Sequence, residues 1–198
     1  MVASKKTHTA RRNVALLGCV ALVVIVVDQL TKHYFDSWYA VGQHMGGPYL
    51  GLFQFTLVHN QGAAWGMFSG SMIPLGVFSL VVCGLILLYL VRIAPDSSLP
   101  EVLGLSLVFA GGIGNALDRF LTGYVVDFID VTFMDFPVFN VADIGVTCGI
   151  VLFLVSFALL GAKRENLKEQ AANGEEAEEP ARKQAPAGSS PCESKTLE

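Results

Sequence analysis

The chain has 198 residues, 53% of them hydrophobic and only 15% charged, where a soluble domain carries about 25% charged residues. The deficit excludes an ordinary soluble globule, because the charges crowd the two ends and thin out between Val14 and Ala162. The formal net charge of −4 says little about partners, since residues 163–198 alone hold eight acids and six bases.

Residues 1–13 are polar and basic, with Lys5, Lys6, Arg11 and Arg12. They are expected to form a cytoplasmic N-terminus. An apolar run follows, and its amphipathic continuation predicts a first membrane span over about residues 14–35, roughly the 20 residues that crossing requires. A secretory leader is rejected, because no small-x-small cleavage site follows the run. A lipoprotein processing box at Cys19 is rejected too, because only five apolar residues precede it. Asp28 and Lys32 stand four apart near the far end of this span. Two readings are compatible: a self-neutralised pair at the membrane surface with Lys32 snorkelling, or part of a site.

Residues 36–71 contain no Lys or Arg but seven glycines and Pro48. Residues 52–58 read as a strand bounded by turn signals, and a small sheet on the outer membrane surface is expected. Trp38 and Trp65 suit an interfacial belt. The second span is predicted over 72–91, with Pro74 in its first turn, where proline is tolerated. The third is predicted over 99–118 and ends in Ala110–Ala116, almost all small residues, which let neighbouring backbones approach closely. The fourth is predicted over 141–161, with Gly145, Cys148 and Gly149 as a second close-packing face. Residues 163–198 form an acidic tail, expected to be cytoplasmic and largely disordered because almost nothing apolar remains to bury.

The cysteines show no Cys-x-x-Cys or Cys/His cluster, so neither disulfides nor a metal site is expected. Cys19, Cys83 and Cys148 read as buried thiols within apolar runs. Of 13 Lys and Arg, four precede the first span, Arg92 lies between the second and third, and six follow the fourth. That asymmetry predicts both termini in the cytoplasm.

Depth then sorts the polar groups. At about 1.5 Å per residue, Asp28 lies in the outer part of the first span. Asn115, Asp118 and Arg119 share a face near the outer end of the third, and Asn140 and Asp143 sit at the outer entrance of the fourth. The slab they form suits carboxylate chemistry. Two acids sharing a water can hydrolyse a peptide, because like charges held close cannot both ionise. No Gly-x-Ser-x-Gly or His-Glu-x-x-His is present, and a Ser69 or Ser71 pairing with Lys32 is the weaker alternative. Asp118 reads as satisfied by Arg119 and Asn115, Asp143 as a helix cap, and Asp130 and Asp135 as solvated loop acids. The residues favour Asp143 with either Asp127 or Asp118, of which Asp127 has fewer cations beside it.

Five segments in order resemble the bacterial lipoprotein signal peptidase family (signal peptidase II): Asp-Gln-Leu-Thr-Lys at 28–32, Asn-Gln-Gly-Ala-Ala-Trp at 60–65, Gly-Gly-x-Gly-Asn-x-x-Asp-Arg at 111–119, Val-Val-Asp-Phe-Ile at 125–129 and Phe-Asn-x-Ala-Asp at 139–143. The resemblance spans residues 14–162. It implies a mainly α membrane protein with four transmembrane helices, a small extracytoplasmic β-cradle and a helix outside the membrane. It implies an aspartyl endopeptidase that cuts diacylglyceryl-modified prolipoproteins just before the modified cysteine, at the extracytoplasmic face of the bacterial inner membrane. Asp127 and Asp143 are then the catalytic pair. Asn60, Gly62, Asn115, Arg119 and Asn140 would shape the pocket, with Asp28, Lys32, Asp118 and Ala142 in support. Membrane lipid and globomycin-type inhibitors are further implied partners. No cofactor, metal or nucleic acid is implied, and a monomer is expected. A small proton or ion carrier is the rival reading, favoured if polar residues stand at the inner ends of the spans, where none is expected. A non-catalytic scaffold is the third.

Overall fold

The computed structural model describes residues 2–62, 67–68, 70–93 and 97–159, of which 2–8 and 93 are described as backbone only. The expected disorder of the tail, the placement of Trp65 and any role of Ser69 lie outside the described residues. The chain divides into a compact unit over 1–157 and a remainder over 158–198. The elements below belong to the first, save the last two residues of α4.

Four helices are long and apolar enough to cross a membrane. Helix α1 runs Val2–Trp38. It extends past the predicted span at both ends, because the flanking Lys, Ala, Thr and Arg residues include good helix formers and contain no Gly or Pro. Helix α2 runs Met72–Leu88 and loosens into a π-turn over Tyr89–Ile93. Helix α3 runs Leu99–Leu121. The Ser98 hydroxyl accepts from the Glu101 N–H while the Glu101 carboxylate accepts from the Ser98 N–H, a reciprocal cap with proline in the first turn. Helix α4 runs Val141–Leu159.

Helix α3 is the hub. In its most apolar stretch 56% of residues are buried within the protein, against 17–22% in the other three. Their outward faces carry Leu22, Val23, Phe78 and Leu85, all more than half exposed. Apolar surface on that scale belongs against lipid. The apolar core gathers Leu17 of α1, Ile86 of α2, Leu90 of the π-turn that follows it, and Val102 and Leu105 of α3. The start of α1 thus meets the end of α2 and the start of α3, so the spans alternate in direction.

Close approach of α3 and α4 rests on glycine. A Cβ on Gly104 would fall 2.8 Å from the Gly149 carbonyl oxygen, and one on Gly111 would overlap the Ala142 carbonyl. The small residues expected on α3 therefore close on α4 at Ala142 and Val146, and the glycines expected on α4 close on α3 at Gly104, Leu107 and Val108, one set offset along the helices from the other.

Strands β1 (Phe53–Asn60) and β2 (Val125–Val131) form one antiparallel pair. The ladder runs Phe53↔Val131 to Phe55↔Ile129, shifts register, and resumes as Val58↔Asp127 to Asn60↔Val125. The expected sheet is present, and its second strand falls in the stretch that links the third and fourth spans. After β2 the chain turns back: Phe139 pairs with Ile129 through N–H···O bonds of 2.8 and 3.0 Å. Among the described residues no helix stands outside the spans.

Several expectations are corrected. Lys32 does not snorkel: it is 3% exposed, held inside by two carboxylates. Asp130 is a strand residue, not a solvated loop acid, and accepts from Gln54 Nε2 at 2.7 Å and Thr56 Oγ1 at 2.8 Å. Cys83 is buried, but Cys19 and Cys148 are exposed, because apolar sequence here faces outward from the bundle as often as inward. Buried polar residues do stand at the ends of the spans that were expected to be inner and free of them: Asn13, Ser97 and Glu101.

Candidate active site

Three routes bring polar side chains to one end of the bundle. Asp28, Gln29 and Lys32 lie on α1, one turn apart. Asn115, Asp118 and Arg119 lie at i, i+3 and i+4 on α3, hence on one face. The return of Phe139 along β2 sets Asn140 beside Asp127, although thirteen residues separate them.

Asn140 is the N-cap of α4. Its Oδ1 accepts from the Asp143 N–H at 3.0 Å, and its own N–H donates to Asp143 Oδ2 at 3.1 Å. The expected cap at Asp143 is thus corrected: Asn140 caps, and Asp143 answers from the third helical position. Asn140 Nδ2 meanwhile donates to Asp127 Oδ1 at 2.6 Å and faces Asn115 Oδ1 at 3.1 Å. One residue therefore ties both carboxyls to a helix start, Asp127 through its side-chain amide and Asp143 through its backbone N–H.

The remaining oxygens are also held. Asp127 Oδ2 accepts from Asn60 Nδ2 at 3.0 Å, and Asp143 Oδ1 accepts from Asn115 Nδ2 at 2.7 Å. Asp127 is buried and Asp143 half-buried. Burial, and next the neighbouring Asp143 charge, push the Asp127 carboxyl up to about 7; the bonds from Asn60 and Asn140 and the Lys32 charge pull the other way. A raised carboxyl beside a second one is the environment in which one proton is shared between two acids.

Behind the pair lies a buried ionic network. Lys32 Nζ sits 2.8 Å from Asp28 Oδ2 and 2.8 Å from Asp118 Oδ2, and donates to Asn115 Oδ1 at 2.9 Å. Asn115 thus takes a bond from the cation and gives one to Asp143. Asp118 is satisfied by Lys32 and by Gln29 Nε2 at 2.9 Å, not by Arg119 as expected. Asp28 Oδ1 accepts from the Ala142 N–H at 2.9 Å, pairing a first-turn donor of α4 that its own helix leaves open. A Cβ on Gly114 would fall 2.6 Å from Asp28 Oδ2. With Lys32 so engaged, a serine–lysine pairing has no free amine.

Arg119 donates to the Asn115 carbonyl at 3.0 Å and to the Gly62 carbonyl at 3.4 Å, while the Gly62 N–H donates to Asn60 Oδ1 at 2.9 Å. Its buried Nε has no partner among the described residues. Asn60, Asn115, Arg119, Asp127 and Asp143 line one cavity of about 450 Å³, which continues past Phe139 along Ile144, Thr147 and Cys148 of α4. All eleven candidate residues lie at this cavity or in the shell behind it; Asp130 and Asp135 do not line it.

Gln29 was not singled out from the sequence. It bonds Asp28, Asp118 and the Gly114 carbonyl. Its signal was an amide three residues before Lys32, on the same helix face.

The chain as a whole is similar to known proteins. Residues 20–159 match the signal peptidase (SPase) II family. A lipoprotein signal peptidase of Nostoc punctiforme is 40% identical over 142 residues, 71% of this chain and 88% of that protein. One from Lactobacillus johnsonii is 36% identical over 149 residues, 75% of this chain and 96% of that protein. A bacterial membrane enzyme solved by the in meso method at 2.3 Å superposes with a TM-score of 0.68 at 33% identity, covering 75% of this chain and 90% of that one.

Proposed function

The chain belongs to the signal peptidase II family of membrane-embedded aspartic peptidases that process lipoproteins, and on that premise we propose that Asp127 and Asp143 are its catalytic pair. The observation that carries this reading is their common tie to Asn140 on the wall of one cavity. At neutral pH the pair holds one proton. The ionised carboxyl takes a proton from a water lodged between them, and the resulting hydroxide attacks the scissile carbonyl. The protonated carboxyl gives its proton to the carbonyl oxygen; collapse of the tetrahedral species then returns a proton to the leaving amine. Asn60, Asn115 and Asn140 need not move during these steps, because each already holds its carboxyl oxygen. Arg119 and Gly62 border the substrate, and Asp28, Lys32, Asp118 and Ala142 stiffen the wall behind it.

The substrate is a prolipoprotein carrying diacylglycerol on its cysteine, cut just before that residue. The apolar extension of the cavity along α4 supports this, since acyl chains could follow it into lipid. Lys and Arg placement supports cytoplasmic termini over 1–13 and 163–198, with the peptidase over 14–162 and its site at the extracytoplasmic face. Globomycin-type inhibitors would occupy the same cavity, and the chain would act as a monomer.

Asp127→Asn or Asp143→Asn should abolish cleavage of a lipid-modified precursor while the protein still inserts and accumulates. Full activity in either variant would sink the assignment. Cleavage of unmodified precursor at the same rate would refute the substrate class.

A further inference from the structure

A second polar cluster, outside the cavity, closes the sheet onto α1. His59 Nε2 meets Asp36 Oδ1 in the last turn of α1. The His59 ring stacks on Tyr124, centroids 3.8 Å apart and planes 16° from parallel. The Tyr124 hydroxyl donates to Asp36 Oδ2 at 3.3 Å. The three residues come from α1, β1 and the turn into β2, and none lines the cavity.

Their place in the chain is informative. His59 precedes Asn60, and Tyr124 precedes Val125. Asn60 and Val125 are partners at the end of the ladder, and Asn60 Nδ2 donates to Asp127 Oδ2 at 3.0 Å. A two-stranded pair is marginally stable by itself, and this one changes register between Phe55 and Val58. The half of the ladder beyond the shift is therefore poorly braced by the half before it. Phe35 of α1 grips the sheet by stacking on Phe128, centroids 4.2 Å apart. Of the two grips from α1, the Asp36 contact, one residue on, is the nearer to Asn60, whose side-chain oxygen also accepts from the Gly62 N–H.

We propose that Asp36, His59 and Tyr124 form a positioning cluster that holds the Asn60 amide on Asp127, and so orients a catalytic carboxyl that none of the three touches. This rests on the assignment of Asp127 as catalytic. Tolerances for a reacting group are about 0.5 Å, and a frayed strand end exceeds them.

The test is single-turnover cleavage of a lipid-modified precursor by the full chain in proteoliposomes, followed across the acid and neutral pH range. His59→Phe keeps the ring stack and loses the Asp36 bond; Tyr124→Phe loses one hydroxyl. His59→Phe should lower the rate constant roughly tenfold and Tyr124→Phe severalfold, with KM changed less than about twofold. Both should move the alkaline limb to higher pH, as should Asn60→Ala, because a lost amide donor no longer favours the ionised carboxyl. The other charges facing Asp127, namely Asp143, Lys32 and Arg119, are unchanged in these variants. On an Asn60→Ala background neither change should cost more than about a further twofold. A slower reaction with an unmoved limb, the full loss persisting on Asn60→Ala, or no loss at all would each overturn the proposal. If His59→Phe does not accumulate, Tyr124→Phe decides. Asp127→Asn separates the two readings: activity surviving there defeats the catalytic assignment, whereas activity lost there with the cluster variants unaffected defeats only this inference.

Discussion

Asp127 concentrates the electrostatics of the site. Its carboxyl stands at about 7 against an ordinary 3.8, chiefly through burial and then through Asp143. The native state therefore holds the proton more tightly than the unfolded chain does. The stability linked to that proton is complete below about pH 4 and is lost as pH rises through about 7. Asp127→Asn cannot ionise, so the difference in unfolding temperature between variant and parent should drift in the variant's favour from pH 4 to pH 8, by the equivalent of a few kcal/mol. Thermal unfolding in detergent measures this, and a difference independent of pH would contradict it. Cleavage should fall on the same alkaline limb, as the shared proton leaves. Lys32, with Asp28 and Asp118 both 2.8 Å away, keeps two buried acids compensated where an unpaired charge would cost several kcal/mol.

Among the elements, α3 is the most constrained, because its glycines close it against α4 at Gly104 and Gly111 and against Asp28 of α1 at Gly114. Gly114→Ala should place a methyl 2.6 Å from Asp28 Oδ2, displacing the acid that holds both Lys32 and the first turn of α4. Reduced thermal stability, by about 1–3 kcal/mol, and reduced cleavage should appear together; a variant with parental activity would show that α3 can shift without cost. The helices were legible in the sequence because length and hydropathy suffice for a span, and the small-residue faces because bulk is absent at 110–116 and at Gly145 and Gly149. Strand β2 was not. Val125 to Phe128 are buried on both faces, so the alternation that marks a half-exposed strand never appears. Nor was the partner of Asp118 legible. Arg119 adjoins it in sequence, but adjacent helical residues point about 100° apart, and Lys32 arrives from another helix. The convergence on one end could be counted from depth alone; the bonds of Asn140 could not, because they depend on Phe139 returning along β2.

At the scale of the whole molecule, the family match over residues 20–159 and the compact unit ending at Phe157 place the site machinery ahead of the acidic tail. A chain ending at residue 162 should insert and should cleave a lipid-modified precursor within about twofold of the parent rate. A larger loss would assign the tail a part in catalysis or insertion.

The apolar cluster of Leu17, Ile86, Leu90, Val102 and Leu105 lies between Asn13 and Glu101 at one end and Asp28 at the other. From Leu17 to Asp28 along α1 is about 16 Å of helix. Ser106, buried within this layer, turns its hydroxyl onto the Val102 carbonyl of its own helix. A hydrolase that draws water to membrane depth risks becoming a leak for protons. Here these five apolar side chains separate the polar cluster around Asp28 from the polar residues at the other end of the bundle.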